Sequence, residues 1–483
     1  MEESLLDTEG GTSLPVSRGR VYYVDWMRVV AIYLVVTYHV VQGLDWVGLF
    51  DDVGGLKRLV TSFRASALQI GMPMFFHISG RAHALSPTLG LKKTFVRRFQ
   101  RLLLPFVVCY LLLIPPWQYI DQEYDWNNPS SFDMKANPIV WLTHYYTSAE
   151  LVIRFDMAWL WFLPALFFIV VLSTPLFLLA ERYNGTDYVR TYSIATVTAW
   201  AGLALGLVGL GFSWCFAALA VLGPVSAVLI AQVVPVPPHR GQVRVTSANN
   251  AWIATRLLSV IQVLASMGLA MNFSYDKIDP PQANQNTHSA LTAIPFIVLC
   301  TGFYVHGYFA QRWTSISSVL EDSQTAPWWL GLWRLLAVFS MLLIVMVSSP
   351  LGDVEGNRFI YPIYSTSYQA GSGFGAAYVL GTWAYIGIFI SLFQAYGDSI
   401  IEQRFYKHAT GSTIVVYIFH WVFIKVFAFW MVKPTVFQHE QIAGRICLVM
   451  LILLLGLSFA VGGSLCVYVL VLRLPPLKRL FGV

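Results

Sequence analysis

Three ionisable side chains interrupt one apolar stretch, YYVDWMRVVAIYLVVTYHVVQ (Tyr22–Gln42): Asp25, Arg28 and His39. At 100° per residue, Asp25 and Arg28 lie on neighbouring helical faces. His39 is eleven residues beyond Arg28. That is three turns plus about 20°, so it falls on the same stripe about 16 Å further along. A neutral imidazole takes a proton from a hydroxyl near neutral pH. A guanidinium fork matches phosphate oxygens. Ionisable groups in an otherwise lipid-facing helix are functional candidates by default. The plainer readings are an interfacial Asp25–Arg28 ion pair and a packing histidine at His39.

A second constellation is GMPMFFHISGRAH (Gly71–His83), followed by LKKTFVRRFQRLLLPF (Leu91–Phe106). His77 and Arg81 are four apart on one face, with Ser79 between them. The second stretch carries Lys92, Lys93, Arg97, Arg98 and Arg101. Such cations form either a clamp for a phosphate-bearing donor or a patch for anionic lipid head groups. A third stretch, DMAWLWFLPALFFIVVLSTP (Asp156–Pro175), places Trp159 and Trp161 at a membrane boundary, where an aromatic belt needs no function. A fourth, GSTIVVYIFHWVFIK (Gly411–Lys425), carries His420 in mid-span. Tyr38, His77, Ser79, Arg81, Trp161 and His420 are the expected pocket residues around His39. Tyr and Trp residues beside Asp121 and Asp125 in Gln118–Phe155 suit a polyol acceptor or interfacial anchoring.

These groups need a scaffold, and the composition names it. The 483 residues are 57% hydrophobic and 12% charged, with net charge +6 and mean hydropathy +0.61. A soluble chain is typically about 25% charged. The expected fold is an all-α polytopic membrane bundle. Stretches long enough to span number about twelve: near 24–48, 60–84, 95–119, 157–180, 191–209, 211–233, 251–272, 291–311, 328–349, 372–396, 412–432 and 443–472. The division at Leu210–Gly211 is the weakest, and ten or eleven core helices are the alternative. Cations concentrate in alternate loops, which puts both termini in the cytoplasm and requires an even count. The expected organisation is a flexible tail (1–20), a transmembrane domain (21–473) and a short basic tail (474–483). Pro115–Pro116 is expected to end the third span. The five cysteines lack metal-ligand spacing and read as buried small hydrophobes. No metal is expected. The basic balance reads as cytoplasmic loops, not as a nucleic-acid surface.

Taken together, these stretches resemble the membrane-bound acyltransferase 3 family. The resemblance lies in YYVDWMRVVAIYLVVTYHV, then GMPMFFHISG, the basic turn FVRRFQRLLLP, AWLWFLPALFF and the late YIFH, in that order. His77 and Arg81 depart from the family pattern. The resemblance implies transfer of an acyl group, acetyl, succinyl or similar. The donor would be a cytosolic acyl-CoA, used as co-substrate with no permanently bound cofactor. The acceptor would be a hydroxyl of a carbohydrate, glycolipid or other lipid-linked molecule. It implies His39 as catalytic residue and Arg28, Arg97 and Arg98 as donor-binding, with Lys93 and Arg101 beside them. Asp25 would orient Arg28. No Ser or Cys nucleophile pattern is visible, so the acceptor oxygen would attack the thioester directly, with His39 as base. The competing expectation is a secondary transporter relaying protons through His39, His77 and His420. The plasma membrane or an endomembrane is the expected location.

Overall fold

The stretch from Tyr22 to Trp46 holds no proline and few polar residues besides its stripe, and it forms one continuous helix, α1. The computed structural model describes residues 22–50, 54–86, 91–124, 158–182, 300–311, 334–340, 368–396, 403–432 and 442–482, with a few isolated positions beside them. After α1 come α2 (Gly54–Leu85), α3 (Leu91–Arg98), a π turn (Phe99–Leu103) and α4 (Leu104–Tyr124). A 3-10 turn (Ala158–Trp161) opens α5 (Phe162–Arg182). Residues 300–311 form α6. Then follow α7 (Tyr368–Tyr396), α8 (Gln403–Lys425) with its closing π turn (Val426–Val432), α9 (Ile442–Arg473) and α10 (Pro475–Phe481).

Every element among the described residues is helical. That is the economical way to satisfy backbone N–H and C=O groups in lipid. Among the described residues, four stretches are long and apolar enough to cross a membrane: Tyr22–Trp46, Lys92–Trp117, Tyr406–Val432 and Cys447–Arg473. Trp159–Val171 and Leu380–Ala395 are shorter apolar runs. On α9, Met450, Leu451, Leu454, Leu455, Val469 and Leu470 face outward, as a lipid-facing surface requires.

Helix α1 sits at the centre, packed against α2, α7, α8 and α9. It runs antiparallel to α2: Tyr23 meets Arg81, Val35 meets Gly71 and Asp45 meets Arg64. It runs parallel to α8. One offset, 381 residues, separates Asp25 from Tyr406, His39 from His420 and Gly43 from Ile424. The two helices therefore rise side by side in constant register. Helix α9 returns antiparallel to α8, with Tyr468 beside His408 and Phe459 beside Phe427. Helices α2 and α6 cross at glycines. A Cβ on Gly80 would lie 2.0 Å from the Tyr304 carbonyl oxygen, and one on Gly307 2.0 Å from that of His77. Only backbone without side chain allows so close an approach.

Two sequence expectations change. Pro115 and Pro116 do not end their helix; α4 runs through both to Tyr124, a tolerance membrane helices show where neighbours re-satisfy the freed backbone groups. Cys109 and Cys300 are buried, but Cys447 and Cys466 are exposed on α9, whose outer face is apolar already. Within the basic C-terminal stretch, Pro475–Phe481 forms α10, which packs on α9 and buries Phe481. The spans near 191–209, 211–233 and 251–272, the division at Leu210–Gly211, the 1–20 tail and most of the Gln118–Phe155 loop lie outside the described residues.

Candidate functional site

Small side chains open the site. The run Ala409–Thr413 (ATGST) on α8 leaves space beside Arg28 and Ile32 of α1, and a cavity of about 260 Å³ fills it. Among the described residues, three guanidiniums line it, from Arg28, Arg98 and Arg101, and no carboxylate does. The last two come from α3 and the π turn that follows it. Phe481 and Gly482 of the α10 segment complete the wall next to Arg101. Away from the arginines the lining becomes apolar: Phe75 of α2, Phe162 and Leu166 of α5, and Tyr417 of α8. The cavity thus runs along the α1–α8 seam, cationic at one end and aromatic at the other.

Arg28 is held by Asp25 at 3.3 Å, and the Tyr406 hydroxyl donates to the same carboxylate. Its Nε has no hydrogen-bond partner among the described residues. Tyr304 of α6 also lines the cavity, and its hydroxyl pairs with His83 Nδ1. Thr410 and Thr413 donate their hydroxyls to carbonyls of their own helix. Each hydroxyl oxygen keeps its acceptor capacity.

Beyond the aromatic end lies a histidine pair. The rings of His39 and His420 are 5.2 Å apart, centroid to centroid. His39 Nδ1 lies 3.0 Å from Gln42 Oε1. The Nδ1–H of His420 donates to the Val416 carbonyl at 3.0 Å, and its buried Nε2 has no partner among the described residues. Trp421 packs on His39 at 4.7 Å. Tyr417 joins the two regions: it lines the cavity, its ring lies 6.0 Å from that of His420, and its hydroxyl donates to the Trp159 carbonyl. Tyr417 packs edge-on against Phe162, ring centroids 5.5 Å apart, so aromatic side chains stand between the cationic cavity and the two imidazoles. That arrangement suits a donor with an anionic head and a reactive group on a long, uncharged arm.

Residues 21–469 match the acyltransferase 3 family, described as an acyltransferase domain. The chain belongs to this family. It is a transferase and a multi-span membrane acyltransferase. No curated protein and no solved structure matches it.

The geometry sorts the residues that the family pattern and the sequence single out. Arg28, Arg98, Arg101 and Ser79 come together around the cavity. Lys93 and Arg97 are exposed on α3 and do not line it. Asp25 stands at the Arg28 end, fourteen residues before His39 on one helix and so about 21 Å away; it acts on the arginine and not on the imidazole. Tyr38 is buried beside His39, with the Arg64 guanidinium over its ring at 5.9 Å. Trp161 packs against Phe76 and Phe162 at the cavity's aromatic end. His77 and Arg81 lie elsewhere. His77 Nε2 and His306 Nδ1 are 3.1 Å apart, and Arg81 donates to the Tyr23 hydroxyl at 2.9 Å. Both residues are buried between α2 and α6 and do not line the cavity. Gln42, Tyr304, Tyr417 and Phe481 escape the sequence reading. Gln42, three residues past His39 on the same face, carried a signal in its spacing; the other three sites arise only from contacts between distant segments.

Proposed function

We propose that the protein transfers an acyl group, acetyl, succinyl or similar, from a cytosolic acyl-CoA to a hydroxyl of a carbohydrate or lipid-linked acceptor, with His39 as general base. One observation carries this reading: the three-arginine cavity ends at Phe162 and Tyr417, and the Tyr417 ring lies 6.0 Å from that of His420, the neighbour of His39. Arg28, Arg98 and Arg101 hold the phosphates of the donor by charge-assisted hydrogen bonds. The pantetheine arm follows the apolar wall, and the 16 Å or so between Arg28 and His39 is within its reach. At the imidazole, the acceptor oxygen gives its proton to His39 Nε2 and attacks the thioester carbonyl. The new C–O bond forms as the C–S bond breaks, and the proton passes to the departing thiolate. Acyl-CoA is a co-substrate here, and no resident cofactor takes part.

Twelve spans with both termini in the cytoplasm, in the plasma membrane or an endomembrane, complete the proposal. The parallel run of α1 and α8 supports it, because the first and eleventh of twelve spans cross in the same sense. The arginines then open to the cytoplasm, where acyl-CoA resides, and Trp46 marks the opposite face.

The test uses purified full-length protein in lipid nanodiscs, with acetyl-CoA, succinyl-CoA and a panel of glycans and glycolipids. Acceptor-dependent release of free CoA is expected, and His39→Ala abolishes it while the protein elutes like wild type on size exclusion. Solute flux without loss of acyl-CoA points to a transporter, and full transfer by His39→Ala removes the base from this mechanism.

A further inference from the structure

We propose that Gln42 is the positioning residue of His39: it holds the imidazole with a proton on Nδ1 and leaves Nε2 as the basic atom. The inference rests on the reading of His39 as base. Gln42 lies one turn beyond His39 on α1, the i,i+3 position at which helical side chains meet. Its Oε1 is 3.0 Å from His39 Nδ1, and an amide oxygen only accepts. The amide is 5% exposed, so water does not compete for this bond. The following residue, Gly43, fixes the helix where it stands: a Cβ there would lie 2.6 Å from Ile424 Cγ2. The end of α1 is thereby clamped to α8, and the Gln42 backbone has little freedom to withdraw.

The identity of the residue matters for the chemistry. In many general-base arrangements a carboxylate orients the imidazole and stabilises the imidazolium. Here the charged and titratable neighbours do not take that role. Asp45 binds Arg64 of α2. His420 of α8 faces the ring of His39 but spends its Nδ1–H on Val416. Lys425, further along α8, lies over the rings of Trp46 and Phe429 at 4.3 and 4.6 Å. A neutral amide fixes the tautomer without adding negative charge. The proton that His39 accepts is then held weakly and is passed on readily to a leaving thiolate.

The readout need not involve turnover. Protein labelled with 15N-histidine, reconstituted in bilayers, reports the tautomer of each ring through its two nitrogen shifts, and His39→Ala assigns the resonance. The wild type is expected to show His39 with Nδ1 protonated and Nε2 bare. Gln42→Leu is expected to mix the tautomers. Gln42→Glu, close in shape and still an acceptor for the Nδ1–H, is expected to keep the wild-type tautomer. Incorporation of 14C-acetyl from acetyl-CoA into membranes carrying the protein is expected to fall about 100-fold in Gln42→Leu. In Gln42→Glu, which keeps the tautomer, most of that activity is expected to remain. An Nε2-protonated His39 in the wild type, or an unchanged tautomer in Gln42→Leu, overturns the proposal. The expected tautomers with no acyl-CoA consumption by the wild type uphold the positioning role and overturn the donor reading.

Discussion

At the scale of single residues, the cations divide by what they face. Arg98 and Arg101 line the cavity, whereas Lys93 and Arg97 of the same short segment do not. A hydrogen bond to a charged group contributes about 1.5–3 kcal/mol, which is about a tenfold to hundredfold change in affinity. Arg98→Ala and Arg101→Ala are therefore expected to raise the KM for acyl-CoA by about tenfold or more, with the KM for the acceptor unchanged. Lys93→Ala and Arg97→Ala are expected to move the same KM by less than about twofold, the size of a screened surface charge effect. Equal losses at all four positions in steady-state kinetics would mean a diffuse basic surface and not a clamp. His39 and Asp25 separate in the same way. They share a helix stripe, yet the carboxylate holds Arg28 while the imidazole bonds to Gln42.

At the scale of elements, the site depends on how closely helices approach. The α2–α6 crossing brings Tyr304 to the cavity and His83 to its hydroxyl. Gly80→Ala would drive a Cβ into the Tyr304 carbonyl, 2.0 Å away, and neither backbone yields without parting the helices. The expected cost is about 1–3 kcal/mol or more, as for overpacking in a close-packed interior. Gly302→Ala on α6 meets nothing within 4 Å and is expected to leave the melting temperature unchanged or slightly raised, since Gly is the poorer helix former. Thermal unfolding in detergent compares the two. Similar behaviour of both variants would show that the crossing is not close-packed. The π turn at Phe99–Leu103 belongs to the same scale, because it carries Arg101 to the cavity and packs against α5 and α10.

At the scale of the whole molecule, the parallel α1–α8 pair ties the chain's first and late segments into one seam. The Asp25–Tyr406 contact, the cavity and the His39–His420 pair all lie along it. In the proposed orientation, the Arg28 end of the seam faces the cytoplasm. Cysteines introduced for the exposed Lys407 and for Trp46, which is 41% exposed at the opposite end of the seam, are expected to react with a membrane-impermeant maleimide from opposite sides. Lys407→Cys would label only in inside-out vesicles and Trp46→Cys only in right-side-out ones. Labelling of both from one side would overturn the topology.

The sequence by itself determined what depends on local hydropathy and spacing. Expected spans at 24–48, 372–396 and 443–472 lie within two to four residues of α1, α7 and α9, because lipid imposes an apolar run of fixed length on any helix that crosses it. The polar stripe of Asp25, Arg28 and His39 followed from the helical period, and the ordered motifs pointed to the family that residues 21–469 match. Tertiary structure decided which stripe residues work together. His420 reaches His39 across 381 positions of sequence, and Tyr304 and Phe481 enter the cavity from segments with no local mark of a site. His77 and Arg81 went the other way: they have the residue types of a pocket, yet the α2–α6 crossing buries them together away from the cavity. A helical period specifies a face but not the neighbour that covers it, and that neighbour is chosen by packing over the whole chain.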